Sequence, residues 1–351
     1  MQSGKQRAFA PDCIRAAALV LVLSVHFFLH SGFYNQPLQG AGMMLSAAVR
    51  MACMTCVPMF IMLSGYLCLS WTWSAGYCRR LIRVLLTYVL AGAACTAFRV
   101  LWMKEAFTAR AIAESFFAFT AAPYAWYIEM YIGLFLLIPF LNAAWHGVGQ
   151  GGKRALVWVL LAMTVIPATV NSFFKLLPAW WTAIYPLTYY FLGAWLREKP
   201  LKLRWYWLVL GWLCLATAAA VVLRAMTGGG NFPWNKVSNW DSVFVVGESV
   251  CLFSLLQRCT GARLPAPLRR FISWLAGVSL PMFMISYITD RLLYPRLTGA
   301  GLTPGRRLLW MPVMVAASIV LSGAMAQVLH WVVSALMKLV PPAGNTSKRS
   351  L

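Results

Sequence analysis

Runs of roughly twenty apolar residues, nearly free of charge, recur along the whole chain, and a helix of that length matches the hydrocarbon thickness of a bilayer. Of the 351 residues, 61% are hydrophobic and 11% are charged, whereas a soluble domain carries about 25% charged residues. A water-soluble chain of this length cannot hide such an apolar excess and still present a polar surface. Backbone groups in lipid must bond to one another, so each run is expected to be a helix. The alternating pattern of a membrane barrel is absent. The expected fold class is therefore all-α integral membrane, with about ten transmembrane helices. The spans lie near 11–30, 44–70, 81–103, 124–145, 155–173, 181–197, 205–226, 242–257, 271–290 and 308–337. Residues 1–340 read as a single transmembrane domain and 341–351 as a disordered cytoplasmic tail.

The net charge of +22 would suggest nucleic acid in a soluble protein. Here the basic residues sit mainly in short loops, where the positive-inside rule accounts for them and no nucleic-acid partner is expected. With the N-terminus inside, the inner segments carry Lys5, Arg7, Arg79, Arg80, Arg83, Lys153, Arg154, Arg197, Lys199, Lys202, Arg204, Arg258, Arg263, Arg269, Arg270, Lys338, Lys348 and Arg349. The outer segments carry about half as many, among them Lys104, Arg110, Lys175, Arg224, Lys236, Arg291, Arg296, Arg306 and Arg307. That bias puts both termini in the cytoplasm, although the Arg296–Arg307 loop argues the other way. The first run holds Asp12, Arg15 and His26 and no small-residue cleavage site follows, so it reads as a retained helix rather than a signal peptide. Pro58, Pro167, Pro186 and Pro281 fall inside spans and should kink or interrupt them. Thr108–Thr120 reads as an interfacial amphipathic stretch, and Gly228-Gly229-Gly230-Asn231 as a turn. Cys53 and Cys56 have CxxC spacing but inside a span, and no outer loop carries a cysteine, so no disulfide is expected.

Ionisable groups inside a bilayer are costly and mark candidate sites. They are Asp12, Arg15, His26, His30, Arg50, Arg99, Glu129 and Glu248. Arg15 and His26 are eleven residues apart. Eleven steps overshoot three full turns by only about 20°, so the two share one helix face about 16 Å apart along the axis. Either they form a functional track, or Arg15 snorkels and His26 bonds a neighbouring helix. Matching depth predicts that His26, Arg50 and Glu129 meet in one outward-facing cavity; the alternative is an Arg50–Glu129 ion pair that fixes packing. Arg99 and Glu248 are a possible second pair. His26 and His30 lack a third ligand, so no metal is expected. Arg79, Arg80 and Arg83 open the third span at the inner face, suited to phosphate or to anionic headgroups.

Several segments together resemble the bacterial acyltransferase family 3, a group of multi-pass membrane O-acyltransferases. Asp12-Cys13-Ile14-Arg15 followed by Ser24-Val25-His26 matches its Arg–ten residues–His pattern. Val57–Leu67, containing Ser64-Gly65-Tyr66, is similar to its apolar run ending in Ser-Gly-Tyr/Phe; Arg79-Arg80-Leu81-Ile82-Arg83 resembles its basic start of the third helix. Trp126-Tyr127-Ile128-Glu129 with Pro139, and Phe191-Leu192-Gly193, resemble later elements. One stretch departs: where the family's late helix often reads Ser-x-x-x-Tyr-Leu-x-His, this chain has Phe283 and Ser286 in place of tyrosine and histidine.

The resemblance implies an acyltransferase domain that moves an acyl group, commonly acetyl, from cytoplasmic acyl-CoA to a hydroxyl on a cell-surface sugar or lipid-linked glycan. Acyl-CoA is then a donor substrate, with no permanently bound cofactor, and the location is the bacterial inner membrane. On this reading Arg15, Arg79, Arg80 and Arg83 hold the CoA phosphates. His26 is the general base, or less readily a nucleophile, and Glu129 orients it or binds sugar. Arg50 steadies oxyanion charge, and Trp126 and Tyr127 stack on a sugar, unless they are interfacial aromatics. The competing classes are a transporter or flippase for a glycan, amino acid or lipid, which should show inverted repeats, and a degenerate relative acting as a sensor or assembly partner.

Overall fold

The computed structural model describes residues 9–234, 237–298 and 301–340. The expected tail 341–351 and the charges at Lys5, Arg7, Lys236, Lys348 and Arg349 lie outside them. Fourteen α-helices follow one another among the described residues. The first seven are α1 Ala10–His30, α2 Gly40–Cys53, α3 Cys56–Cys68, α4 Ala75–Leu101, α5 Ala109–Phe117, α6 Trp126–Gly147 and α7 Gln150–Val170. The rest are α8 Tyr185–Glu198, α9 Trp205–Thr227, α10 Val243–Leu256, α11 Ala266–Gly277, α12 Ser279–Thr298, α13 Pro304–Leu309 and α14 Met311–Leu339. Extended pairing among these residues is limited to an isolated bridge, Pro37 with Asn231.

All ten apolar segments fall on helix. Seven stretches are long and apolar enough to cross a membrane, and an eighth is so if the bent pair α11–α12 counts as one span. α10 is a shorter apolar helix, and α8, with 14 residues, follows a 3-10 turn at Ala179–Ile184. Two spans are broken where proline predicts. Pro58 lacks the amide that would bond the Met54 carbonyl, and the chain breaks at Met54–Thr55 between α2 and α3. Pro281 would likewise need the Gly277 carbonyl, and α11 and α12 meet there at 80°. Caps fix other ends: the Ser74, Thr108 and Ser242 hydroxyls accept from the amides of Tyr77, Ala111 and Val245. Gly228, at φ 59°, closes α9 in the left-handed conformation.

Burial ranks the helices from centre to lipid. The apolar windows of α1 and of α2–α3 are 61% and 78% buried, against 28% for α4, α9 and α14, so the first three are the core and the others face lipid along one side. α1 packs against α2, α3, α10, α11, α12 and α14. α3 and α8 cross so closely that a Cβ on Gly65 would lie 1.8 Å from the Tyr190 carbonyl oxygen, and one on Gly193 1.9 Å from that of Met62. Small residues let backbones meet in this way, where dispersion rather than the hydrophobic effect drives packing. In the Arg296–Arg307 loop, Arg307 donates from Nη1 to the Ser31 carbonyl just beyond α1, at 2.6 Å. One of its charges is thus used on the end of a helix.

Candidate active site

α1 carries Arg15 and His26 on one face, and α12 supplies what His26 touches. Ser286 and Asp290 are one turn apart on α12 and share a face. His26 Nδ1 lies 3.1 Å from Asp290 Oδ2 and 3.3 Å from Ser286 Oγ. The Ser286 hydroxyl donates to the Phe283 carbonyl at 2.8 Å, so toward His26 its oxygen accepts. Both neighbours of Nδ1 are therefore acceptors. A tautomer with its proton on Nδ1 fits these two acceptors and leaves the ring's lone pair on Nε2. The Tyr124 hydroxyl donates to the same Asp290 oxygen at 2.8 Å and is 2.6 Å from His30 Nε2. Its ring packs on the His26 imidazole with centroids 4.0 Å apart. Asp290 is 1% exposed, and its Oδ1 has no hydrogen-bonding partner among the described residues. A buried carboxyl group that meets two imidazoles and a phenol is costly to place unless those neighbours satisfy it, which makes this cluster the leading candidate site.

Two cavities lie away from this cluster, the first along the Arg15 end of α1 and the second between α4 and α14. The first, about 210 Å³, is mostly apolar; it starts at Arg15, Cys68 and Trp71 and reaches Val22, Tyr127 and Phe283. Val22 is one turn before His26, and the Phe283 ring centroid is 6.3 Å from that of His26. The second, about 430 Å³ and open, is lined by Arg79, Arg80, Arg83, Ser334 and Lys338. Arg80, which lines the second, borders the first as well: its guanidinium lies 3.9 Å from the centroid of the Trp71 ring that lines it. Arg15 is 3.8 Å from Asp12 Oδ1, and Asp12 accepts from Ser273 on α11 at 3.0 Å. Arg79 Nη2 donates to the Met337 carbonyl at 2.9 Å and ties α4 to the end of α14.

A family model described as an acyltransferase domain, that of acyltransferase family 3, matches residues 9–327. The chain belongs to acyltransferase family 3. No curated protein and no solved structure matches. The match runs from Phe9 to the middle of α14, so the first cavity and the His26–Asp290 pair lie within the acyltransferase domain of a membrane protein, while Ser334 and Lys338 of the second cavity lie beyond the matched residues.

Within this acyltransferase the remaining residues singled out from sequence do not converge on His26. Glu129 is exposed in the first turn of α6, and the carboxylate beside the histidine is Asp290. Arg50 is fully buried elsewhere. Its Nε donates to the Tyr34 hydroxyl and its Nη1 to the Ser238 carbonyl, both at 3.1 Å. The Phe232 and Trp234 rings each lie 4.6 Å from its guanidinium. Arg50 therefore ties α2 to Ser238, ahead of α10. Trp126 has one face covered by Trp240 at 4.6 Å, and Tyr127 lines the apolar cavity rather than an outer sugar site. Arg99 pairs with Glu105 at 2.7 Å, not with Glu248. Asp290 escaped the sequence reading because it is the last residue of its apolar run and looked like a boundary. Its signal was the spacing to Ser286, at the position where the family pattern departs.

Proposed function

We propose that this protein transfers an acyl group, acetyl foremost, from cytoplasmic acyl-CoA to a hydroxyl of a cell-surface or lipid-linked sugar, in the bacterial inner membrane with both termini cytoplasmic. The carrying observation is the succession of two cavities bordered by the contacting pair Arg80 and Trp71: a basic mouth, and an apolar cavity that ends at Phe283, whose ring centroid is 6.3 Å from that of His26. Arg80, Arg83 and Lys338 suit the phosphates of CoA, Arg guanidinium being matched to phosphate geometry. The uncharged lining suits the pantetheine arm and its thioester. The excess of basic residues on the Arg79–Arg83 side favours the cytoplasm for that mouth.

In the chemical step His26 Nε2 takes the proton of the acceptor hydroxyl. The oxygen attacks the thioester carbonyl, the C–S bond breaks, and the proton returns from Nε2 to the CoA sulfur. Asp290 holds the imidazole through Nδ1–H and balances its transient positive charge. The test uses inverted membrane vesicles supplied with radiolabelled acetyl-CoA. The wild type labels a glycan and releases CoA in equal amount; His26→Ala at the same membrane level does neither. Solute movement without thioester cleavage, or an active His26→Ala protein, overturns the reading.

A further inference from the structure

The apolar cavity does not reach His26; it ends against Phe283 and Tyr127. Phe283 fills the space between. Its ring is 6.3 Å from the His26 ring, 5.8 Å from the Tyr127 ring in an edge-to-face contact, and 6.4 Å from the Tyr124 ring. The residue is 6% exposed. Its position is fixed from both sides: Pro281 and the bend at Val278 place the first turn of α12 against the cavity, and the Phe283 carbonyl accepts from Ser286, which touches His26. A thioester drawn up the cavity can bring its carbonyl to the histidine only beside this ring. Whatever follows the carbonyl must then fit among Phe283, Tyr124 and Tyr127, all of them buried.

We propose that Phe283 is the specificity-determining residue for the acyl group: its ring limits the donor to short acyl chains and excludes longer ones. The inference rests on the acyl-CoA reading above and gives it a narrower donor class. One or a few methylene groups refused by a closed apolar wall are worth about 10–200-fold in discrimination, so the wall's removal should be visible in a ratio of rates.

The experiment measures CoA release by inverted membrane vesicles, which carry the natural acceptor, from acetyl-CoA, butyryl-CoA and octanoyl-CoA. Wild type, Phe283→Ala and Phe283→Tyr are compared at equal membrane levels. The wild type should prefer acetyl-CoA, and Phe283→Tyr, which keeps the ring, should keep that preference. Phe283→Ala should raise the butyryl-to-acetyl ratio of kcat/KM by about tenfold or more. If Phe283→Ala does not accumulate, Phe283→Leu should move the ratio the same way by less. A loss of rate shared equally by all three donors marks a purely structural role and overturns the proposal, as does a wild type that prefers octanoyl-CoA. Absence of CoA release from every donor in the wild type would instead overturn the acyl-CoA reading.

Discussion

Replacing Asp290 by asparagine keeps the shape of the site and removes its charge. In the proposed step His26 takes the acceptor's proton, so Asp290 should contribute mainly where positive charge develops on the imidazole, in the transition state. A full charge on each group at the observed 3.1 Å gives a ceiling of about 5 kcal/mol at an effective dielectric of about 20. That ceiling corresponds to about four orders of magnitude in rate. Transition-state charge is partial, and Tyr124 and His30 share the carboxylate. The expected fall in kcat for Asp290→Asn is accordingly about 10²–10³-fold, equivalent to one strong charge-assisted hydrogen bond plus part of the Coulomb energy. KM for acetyl-CoA should stay within about threefold, because Asp290 lines neither of the two cavities proposed to hold the donor. The assay is initial CoA release against acetyl-CoA concentration, normalised to membrane protein. Glu129→Gln is the internal control and should keep about full rate, since its side chain is exposed. An Asp290→Asn enzyme with kcat within threefold of wild type, or with the whole effect in KM, would refute the role given to the carboxylate.

Three other perturbations test the frame around the site. Gly193→Ala places a methyl group against the Met62 backbone, which cannot swing aside as a side chain can. It should cost at least the 1–3 kcal/mol typical of overpacking and lower the melting temperature in detergent. Gly133→Ala, with open space around its Cβ, should change little; equal stability of the two variants would contradict the close α3–α8 crossing. Asn142 donates to the Cys68 and Trp71 carbonyls at 2.7 and 2.8 Å and accepts from the Tyr190 hydroxyl at 2.6 Å. Asn142→Leu strands those groups at about 1–3 kcal/mol each and should likewise depress thermal stability, which a melt reads directly. Arg80→Ala should raise KM for acetyl-CoA about tenfold or more through the lost phosphate contact, with kcat nearly kept, and Arg80→Lys should recover only part of it. A kcat effect with unchanged KM would move Arg80 out of the donor mouth.

The parts of this protein legible in its sequence are those that depend on period alone. Apolar runs became helices, prolines broke two spans where their missing amides fall, and eleven-residue spacing put Arg15 and His26 on one face of α1. Partners across helices were not legible in the same way. Depth in the bilayer suggested Glu129 for His26, but depth says nothing about which way a helix is turned. The rotation of α6 was nevertheless recoverable: Tyr127 and Glu129 differ by two residues, about 200° around a helix, so they cannot face the same neighbour. Tyr127 lines the apolar cavity and Glu129 is exposed. Once the aromatic of the Trp-Tyr segment is placed inward, the glutamate must leave the site. The same arithmetic places Ser286 and Asp290 together on α12. The departure at position 286 therefore still leaves His26 with polar neighbours on α12. Ser286 Oγ lies 3.3 Å from His26 Nδ1, and one turn on Asp290 Oδ2 lies 3.1 Å from it. Arg50 resisted any such treatment, because its cage is built by the irregular segment containing Phe232, Trp234 and Ser238, and no period governs a segment without regular structure.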